Sequence, residues 1–385
     1  MGLKLFLVAG EPSGDALGAA LIEGFRALGE EVSFSGVGGP KMAQAGMDSL
    51  FPYDELAVMG IAEVLPKYRA LKRRIAQTAQ AFLQSGADAL VTIDSPDFGL
   101  RVAKIVKAAR PSARTIHYVA PSVWAWRPGR AKKMARVIDH VLALLPFEPP
   151  YMEAAGMTCD FVGHPIAGDV APGPTEAEAF RAAFDLAATD PLVLVLPGSR
   201  VSEVTRLAPV FGEALHGIDA KLVLPVTPNV ASHVADLTRS WSPHPILLDP
   251  ADHDPEGFAR LKRGAFAAAE AALAASGTVS LELAQAQTPM VIAYDMNWIT
   301  RQIMRRAMRV DTVTLVNLVS ETRAVPEFLG DACRPDAIRR AVDAIRDGEQ
   351  GDQLTAMALT MERLGAGGAP PGERAAQSIL RAVNP

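Results

Sequence analysis

The chain has 385 residues, a net charge of −5, 49% hydrophobic and 6% aromatic residues, and two cysteines, Cys159 and Cys333. That length allows two domains with a core each; the weak negative charge argues against a general nucleic-acid binder; two cysteines make no metal or disulfide framework and fit a reducing compartment. Met1-Gly2-Leu3-Lys4 enters an apolar run with no signal-peptide pattern ahead of it, and no uncharged apolar run of about 18 residues occurs, so any membrane contact is expected to be peripheral.

In chain order, short apolar runs alternate with helical patterns, as in a parallel sheet covered on both faces. Strands are predicted at 4–9, 32–36, 88–94, 114–119 and 139–145, with helices such as 15–29, 69–84 and 99–110 between them. Gly163-His164-Pro165, Gly168 and Ala171-Pro172-Gly173-Pro174 read as a linker. The alternation restarts at 191–196, 220–226, 245–248, 271–275 and 290–294. A second breaker, 364–372, precedes a final helix at 373–383. Two α/β halves on a short linker are expected to place a cleft between them.

The first strand runs into Ala9-Gly10-Glu11-Pro12-Ser13-Gly14-Asp15 and then a helix, the position where an open α/β sheet receives a ligand. Gly10 and Gly14 permit close backbone approach. The G-x-G-x-x-G spacing of a dinucleotide loop is absent, and Glu11 and Asp15 would repel a phosphate, so the loop is read as facing hydroxyls or a reacting centre, or else as a tight turn. Ile93-Asp94-Ser95-Pro96-Asp97 ends a buried strand with two acids, which project into a crevice or cap the next helix. His117 to Arg127 holds Trp124 and Trp126, two of four tryptophans, either packing a core or lining a sugar or acyl site. Arg127, Arg130, Lys132, Lys133 and Arg136 follow as a basic cluster, or a solvated helix face.

The second half carries the phosphate signals. After the strand 192–196, Pro197-Gly198-Ser199-Arg200 offers N–H groups and a forked cation, or is an exposed turn. Ser276-Gly277-Thr278 opens a helix with Ser276 as expected N-cap and N–H groups aimed at an anion. Glu282, one turn on, has the offset to accept ribose hydroxyls, the alternative being a cap and a surface acid. Two phosphate loops and a ribose-reading acid point to a nucleoside diphosphate.

An apolar stripe at helical spacing, Ile61, Val64, Leu65, Tyr68, Leu71 and Ile75, is bordered by Lys67, Arg69, Lys72, Arg73 and Arg74. This is the pattern of an interfacial helix on an anionic membrane surface, or of a helix packed on its own sheet. Met296, Ile299, Ile303 and Met304, among Arg301, Arg305 and Arg306, form a second such stripe.

Ala9–Asp15, Ile93–Phe98, His117–Arg127, Leu196–Arg200 and Ser276–Glu282, taken with Gly36–Met42, Glu55–Ile61, Leu144-Leu145-Pro146-Phe147-Glu148, Phe161–Pro165, Asn317-Leu318 and Val325-Pro326-Glu327, occur in an order that resembles the lipid-A-disaccharide synthase family of glycosyltransferases over about 10–335. The last 50 or so residues carry no matching motif. The resemblance implies a GT-B fold, two Rossmann-like domains with parallel sheets facing across a cleft. The domains are expected at 1–168 (acceptor and membrane contact) and 176–364 (donor), with the final helix 373–385 crossing back to the first. It implies transfer of 2,3-diacylglucosamine from UDP-2,3-diacylglucosamine to the 6-hydroxyl of 2,3-diacylglucosamine 1-phosphate (lipid X), giving a β-1,6 disaccharide and UDP with inversion, without cofactor or bound metal.

The family's essential acid falls on Asp94, assigned as general base with Asp97 as the alternative. Glu11 and His117 stand with them in the catalytic set, and Ser13, Gly14, Asp15, Trp124 and Trp126 on the acceptor side. Gly198, Ser199, Arg200, Ser276, Gly277, Thr278, Glu282, Asn317 and Glu327 are assigned to the donor. The expected location is the cytoplasmic face of the inner membrane, peripherally bound; a homodimer is left open. Two alternatives remain: another GT-B enzyme using a UDP-sugar, and a non-catalytic lipid- or nucleotide-binding protein on this scaffold.

Overall fold

A computed structural model describes residues 2–56, 61–296, 301–302, 308 and 310–383, without the side chains of 54 and 61–68. The chain divides into two compact units: one of residues 1–168 and 364–385, the other 169–363. Each is built on a wholly parallel sheet, six-stranded among the described residues.

In the first unit the strands are β1 (Leu3–Ala9), β2 (Val32–Val37), β3 (Ala89–Ile93), β4 (Arg114–Tyr118), β5 (His140–Ala143) and β6 (Thr158–Phe161), in the order β2-β1-β3-β4-β5-β6. The helices are α1 (Pro12–Ala27), α2 (Pro40–Gln44), α3 (Ile61–Ser85), α4 (Pro96–Ala109), α5 (Gly129–Met134) and α6 (Pro149–Glu153). Side chains of β1 alternate between two cores. Phe6 and Val8 meet Ile75, Ala79 and Phe82 of α3 and Val102 and Val106 of α4. Leu5, Leu7 and Ala9 meet Leu17, Leu21 and Phe25 of α1 and Ala375 and Ile379 of the C-terminal helix, Pro371–Val383. That helix approaches α1 closely because Gly24 and Gly372 face backbone with no side chain between. Polar bonds fix it in register. Buried His140 bridges Thr158 (2.7 Å) and Ser378 (2.8 Å), and Arg381 donates to Asp160 (2.8 Å).

In the second unit β7 (Leu192–Leu196), β8 (Lys221–Pro225), β9 (Ile246–Leu248), β10 (Ala271–Ala274), β11 (Met290–Tyr294) and β12 (Glu327–Leu329) follow the order β12-β11-β10-β7-β8-β9. The helices are α7 (Pro174–Ala183), α8 (Val201–Ala214), α9 (Ala231–Thr238), α10 (Pro255–Ala268), α11 (Val279–Gln285), α12 (Leu315–Ser320), α13 (Pro335–Arg346) and α14 (Gly351–Arg363). Val193 and Val195 pack with Val204, Leu207 and Phe211 of α8 and Ile338 and Val342 of α13 on one face.

Three sequence expectations change here. Helices α1, α3 and α4 begin earlier than 15, 69 and 99; in α1 and α4 a proline stands in the first turn, where its missing N–H costs nothing. Two strands were not expected, β6 and β12, both at sheet edges and carrying polar residues such as Asp160 and Glu327. The membrane stripe also shortens. Ile75 is 5% exposed within the core under α3, and Leu71 packs against that core, so the helix's later turns face its own sheet. The side chains of Ile61, Val64, Leu65 and Tyr68 lie outside the described residues, as do Ile299, Ile303, Met304, Arg305 and Arg306 of the second stripe. Among the described residues no helix is long and apolar enough to cross a membrane.

Candidate active site

The carboxyl end of β3 carries the most unusual backbone in the first unit. Asp94 and Ser95 both have positive φ, 51° and 39°, and Val119, after the paired end of β4, has φ 89°. Non-glycine residues in this region cost free energy that the surroundings must supply, and they concentrate at functional sites. Here the surroundings are explicit. The Asp94 N–H donates to Tyr118 O (2.9 Å), the Ser95 N–H to Asp94 Oδ1 (2.9 Å), and Ser13 Oγ to Asp94 Oδ2 (2.6 Å).

The Gly10–Gly14 segment packs closely on this turn because its glycines lack side chains. A Cβ at Gly14 would stand 2.9 Å from Ile93 O, and one at Gly10 3.1 Å from Ser95 Oγ. Thus Asp94, half-buried, is held at both oxygens at the mouth of the sheet. Asp97 is exposed in the first turn of α4, and Glu11 is exposed at the N-cap position of α1, where its side chain makes no cap bond.

His117, 1% exposed on β4, sits beside this group. Its Nδ1 lies 2.7 Å from Thr92 Oγ1 on β3. Burial lowers its pKa to about 4, against an opposing pull from the Asp94 carboxylate. At neutral pH it is therefore an uncharged imidazole, a polar wall next to Asp94 rather than a second charge.

Two residues expected on the acceptor side are engaged within the protein. Asp15 is 3% exposed, and its carboxylate accepts from the N–H groups of Gly39 (2.8 Å), Lys41 (2.9 Å) and Met42 (3.0 Å), so it clamps the β2–α2 turn. Trp124 is buried, its ring edge-on to Phe147 and its Nε1–H donating to Glu148 Oε1 (3.4 Å). It anchors its loop, while Trp126, two residues on, is half-buried under the Arg127 guanidinium at 4.0 Å. Glu148, which sequence reasoning gave no role, is 3% exposed; burial raises its carboxyl to about 7 although it accepts from the Leu145 N–H (3.0 Å).

In the second unit the loop after β7 differs from the expected cradle. Gly198 adopts φ 112°, which glycine tolerates. Glu203 then folds back over the turn in a capping box, Oε2 accepting from the N–H groups of Ser199 (3.2 Å) and Arg200 (3.3 Å). Those donors are occupied by the protein's own carboxylate, and the cation that faces out is Arg200, 75% exposed and 2.8 Å from Glu203 Oε1. The Arg-x-x-Glu spacing before an apolar helix was the available signal.

At the second loop the N-cap is Thr278 rather than Ser276; Ser276 is half-buried, Gly277 and Thr278 are exposed, and nothing lies within 4 Å of the space beside Gly277. Glu282 pairs with Lys262 of α10 at 2.5 Å. Asn317, fully buried, spends its amide on the backbone of Val325 (2.9 and 3.0 Å), and Glu327 Oε1 accepts from the N–H groups of Val313 (3.0 Å) and Thr314 (2.6 Å). Both hold the segment 312–325, which includes α12, in shape, and in this structure their polar groups are engaged within the protein.

Two parallel-sheet units, each with its loops at the carboxyl ends of the strands, define the GT-B class of glycosyltransferase folds. Solved structures agree across the full length. MurG of Acinetobacter baumannii aligns with a TM-score of 0.55 at 14% identity, covering 100% of this chain and 99% of that one. Staphylococcus aureus MnaA, solved with UDP, aligns with a TM-score of 0.65 at 12% identity, covering 99% and 97%.

Sequence comparison gives the particular family. Residues 5–365 match the family model described as lipid-A-disaccharide synthetase. The lipid-A-disaccharide synthase of Ruegeria pomeroyi is 58% identical over 98% of this chain and 95% of its own length, and that of Rhodospirillum centenum 46% over 99% and 95%. The chain belongs to the lipid-A-disaccharide synthase family and is a glycosyltransferase enzyme of lipid A assembly.

Proposed function

We propose that the protein transfers 2,3-diacylglucosamine from UDP-2,3-diacylglucosamine to the 6-hydroxyl of lipid X, with inversion at the anomeric carbon. The observation that carries this reading is the Asp94 carboxylate, fixed by Ser13 and by the Ser95 N–H at the mouth of the first sheet. An inverting transfer is one in-line displacement. The acceptor O6 attacks C1, its proton passes to Asp94, and the C1–O bond to the diphosphate breaks with its electron pair leaving on UDP. Ser13 orients the base. Neutral His117 adds no cation that would weaken it. Asp97, exposed one turn away, is the alternative base.

On the donor side, negative charge grows on the diphosphate, where fixed donors act most strongly. Arg200 supplies a forked cation to a phosphate oxygen, and the Ser276-Gly277-Thr278 turn supplies open backbone. Glu282 takes the ribose hydroxyls by exchanging its bond to Lys262 for them. Gly198 and Ser199 shape the turn that carries Arg200. The acyl chains of both substrates call for docking on the anionic cytoplasmic leaflet of the inner membrane, with the first turns of α3 as the apolar contact. Purified protein with UDP-2,3-diacylglucosamine and lipid X should yield a tetraacyl disaccharide monophosphate by mass analysis, β-linked by NMR, with one UDP per disaccharide. Hydrolysis of the donor without disaccharide would overturn the reading.

A further inference from the structure

The loop between β4 and α5 is built to present one cation. It opens at Val119, whose N–H donates to Leu142 O (2.9 Å), and closes at Arg127, whose carbonyl accepts from the Arg130 N–H (3.0 Å); both residues have positive φ, 89° and 52°. Between them Trp124 is the anchor, buried against Phe147 and bonded to Glu148. The loop is thus fixed from inside, and what it holds outward is Trp126 with the Arg127 guanidinium stacked on its ring at 4.0 Å. Stacking fixes the plane of the guanidinium and leaves its N–H edge free. Among the described residues Arg127 is exposed and has no carboxylate partner, in contrast to Arg74, Arg200, Arg301 and Arg346.

The position matters as much as the charge. Strand β4 pairs with β3 through Ile93 and Tyr118, and the Asp94 N–H is bonded to Tyr118 O, so the loop leaves the sheet beside the proposed base. An acceptor that offers a sugar hydroxyl at one end and a phosphomonoester at the other needs a carboxylate and a cation on the same edge. Two adjacent strands supply them. We infer that Arg127, oriented by the Trp126 ring, receives the acceptor's 1-phosphate in a forked pair and so favours acceptors that carry it, lowering their KM. The inference rests on the proposed transfer to lipid X and adds the residue that selects the acceptor. Arg130, Lys132 and Lys133 are exposed nearby and, among the described residues, stack on no ring, so they supply attraction for an anionic surface without reading a single phosphate.

The test compares two acceptors, lipid X and the same diacylglucosamine without its phosphate. Arg127→Ala should raise KM for lipid X at least tenfold, leave KM for the donor unchanged, and leave the phosphate-free acceptor unaffected. Arg127→Gly, which suits the positive φ, should behave identically and excludes a backbone effect. Lys133→Ala should leave the ratio between the acceptors unchanged. Equal losses on both acceptors in the Arg127 variants, or the same ratio change in Lys133→Ala, would overturn the inference in favour of general surface attraction. Wild-type protein that transfers to neither acceptor would instead overturn the proposed function.

Discussion

Replacing Asp15 distinguishes a clamp from a reacting group at a residue whose motif position suggests catalysis. Its carboxylate holds three backbone N–H groups, and the bonds to Gly39 and Met42 are buried. Asp15→Ala leaves those two donors without an acceptor, at about 1–3 kcal/mol each. A loss of roughly 2–6 kcal/mol follows, against a total of about 5–15 kcal/mol for a typical domain. No other side chain easily takes over, because Gly39 packs so closely on Asp15 that a Cβ there would lie 2.7 Å from its carboxyl carbon. Urea unfolding followed by circular dichroism should show the first unit melting at clearly lower denaturant, with UDP affinity, a property assigned to the second unit, unchanged in dilute buffer. Asp15→Asn should fall between, since it keeps one acceptor and turns a donor toward the Lys41 N–H. An alanine variant with wild-type unfolding and abolished turnover would refute the reasoning and return Asp15 to the substrate.

Three further outcomes follow from the geometry. Buried His117 and half-buried His164 are lowered from 6.5 to about 4, and His140 is lowered in the same direction, whereas buried Glu148 is raised from 4.5 to about 7. The histidines contribute stability that is full above pH 6.5 and lost as pH falls toward 4. The Glu148 contribution is full below pH 4.5 and lost as pH rises through 7. Around pH 5.5, midway between 6.5 and 4.5, the two histidines outweigh Glu148 by about one proton, so stability should fall there by about 1.4 kcal/mol per pH unit on acidification, and His164→Asn should flatten that slope in melts at several pH values. Arg200→Ala should weaken UDP binding about 10–150-fold by calorimetry, the worth of a charge-assisted bond, and slow transfer with it; unchanged affinity places Arg200 outside the donor site. Changing Val64, Leu65 and Tyr68 to Ser should release the protein from anionic vesicles in co-sedimentation while its melting stays as in wild type; loss of folding would show that these side chains belong to the core.

Much of the architecture is written in local sequence. Strands such as Leu192–Leu196 and Ala271–Ala274 are uninterrupted apolar runs because both faces of a parallel sheet are covered, and their limits lie within about two residues of the reading. Edge strands β6 and β12 lacked that signature, since one side of an edge meets solvent or loops and admits Asp160 and Glu327. At the site, the order of motifs identified the family, but motif membership does not separate a reacting side chain from one that folds the loop. Asp15 meets its partners 24 to 27 residues later, and Asn317 closes a loop eight residues on. Those distances belong to tertiary structure. Conversely, the bond from Ser13 to Asp94 spans 81 positions and could be found only once the two loops were side by side.

The central claim is that Asp94 takes the acceptor's proton, and turnover of Asp94→Asn and Asp94→Ala, with UDP binding measured on the same samples, tests it most directly. Both variants should transfer sugar at least 10²-fold more slowly, the ordinary worth of a general base, while binding UDP as wild type does. Near-normal turnover in both would contradict the account and move the base to Asp97.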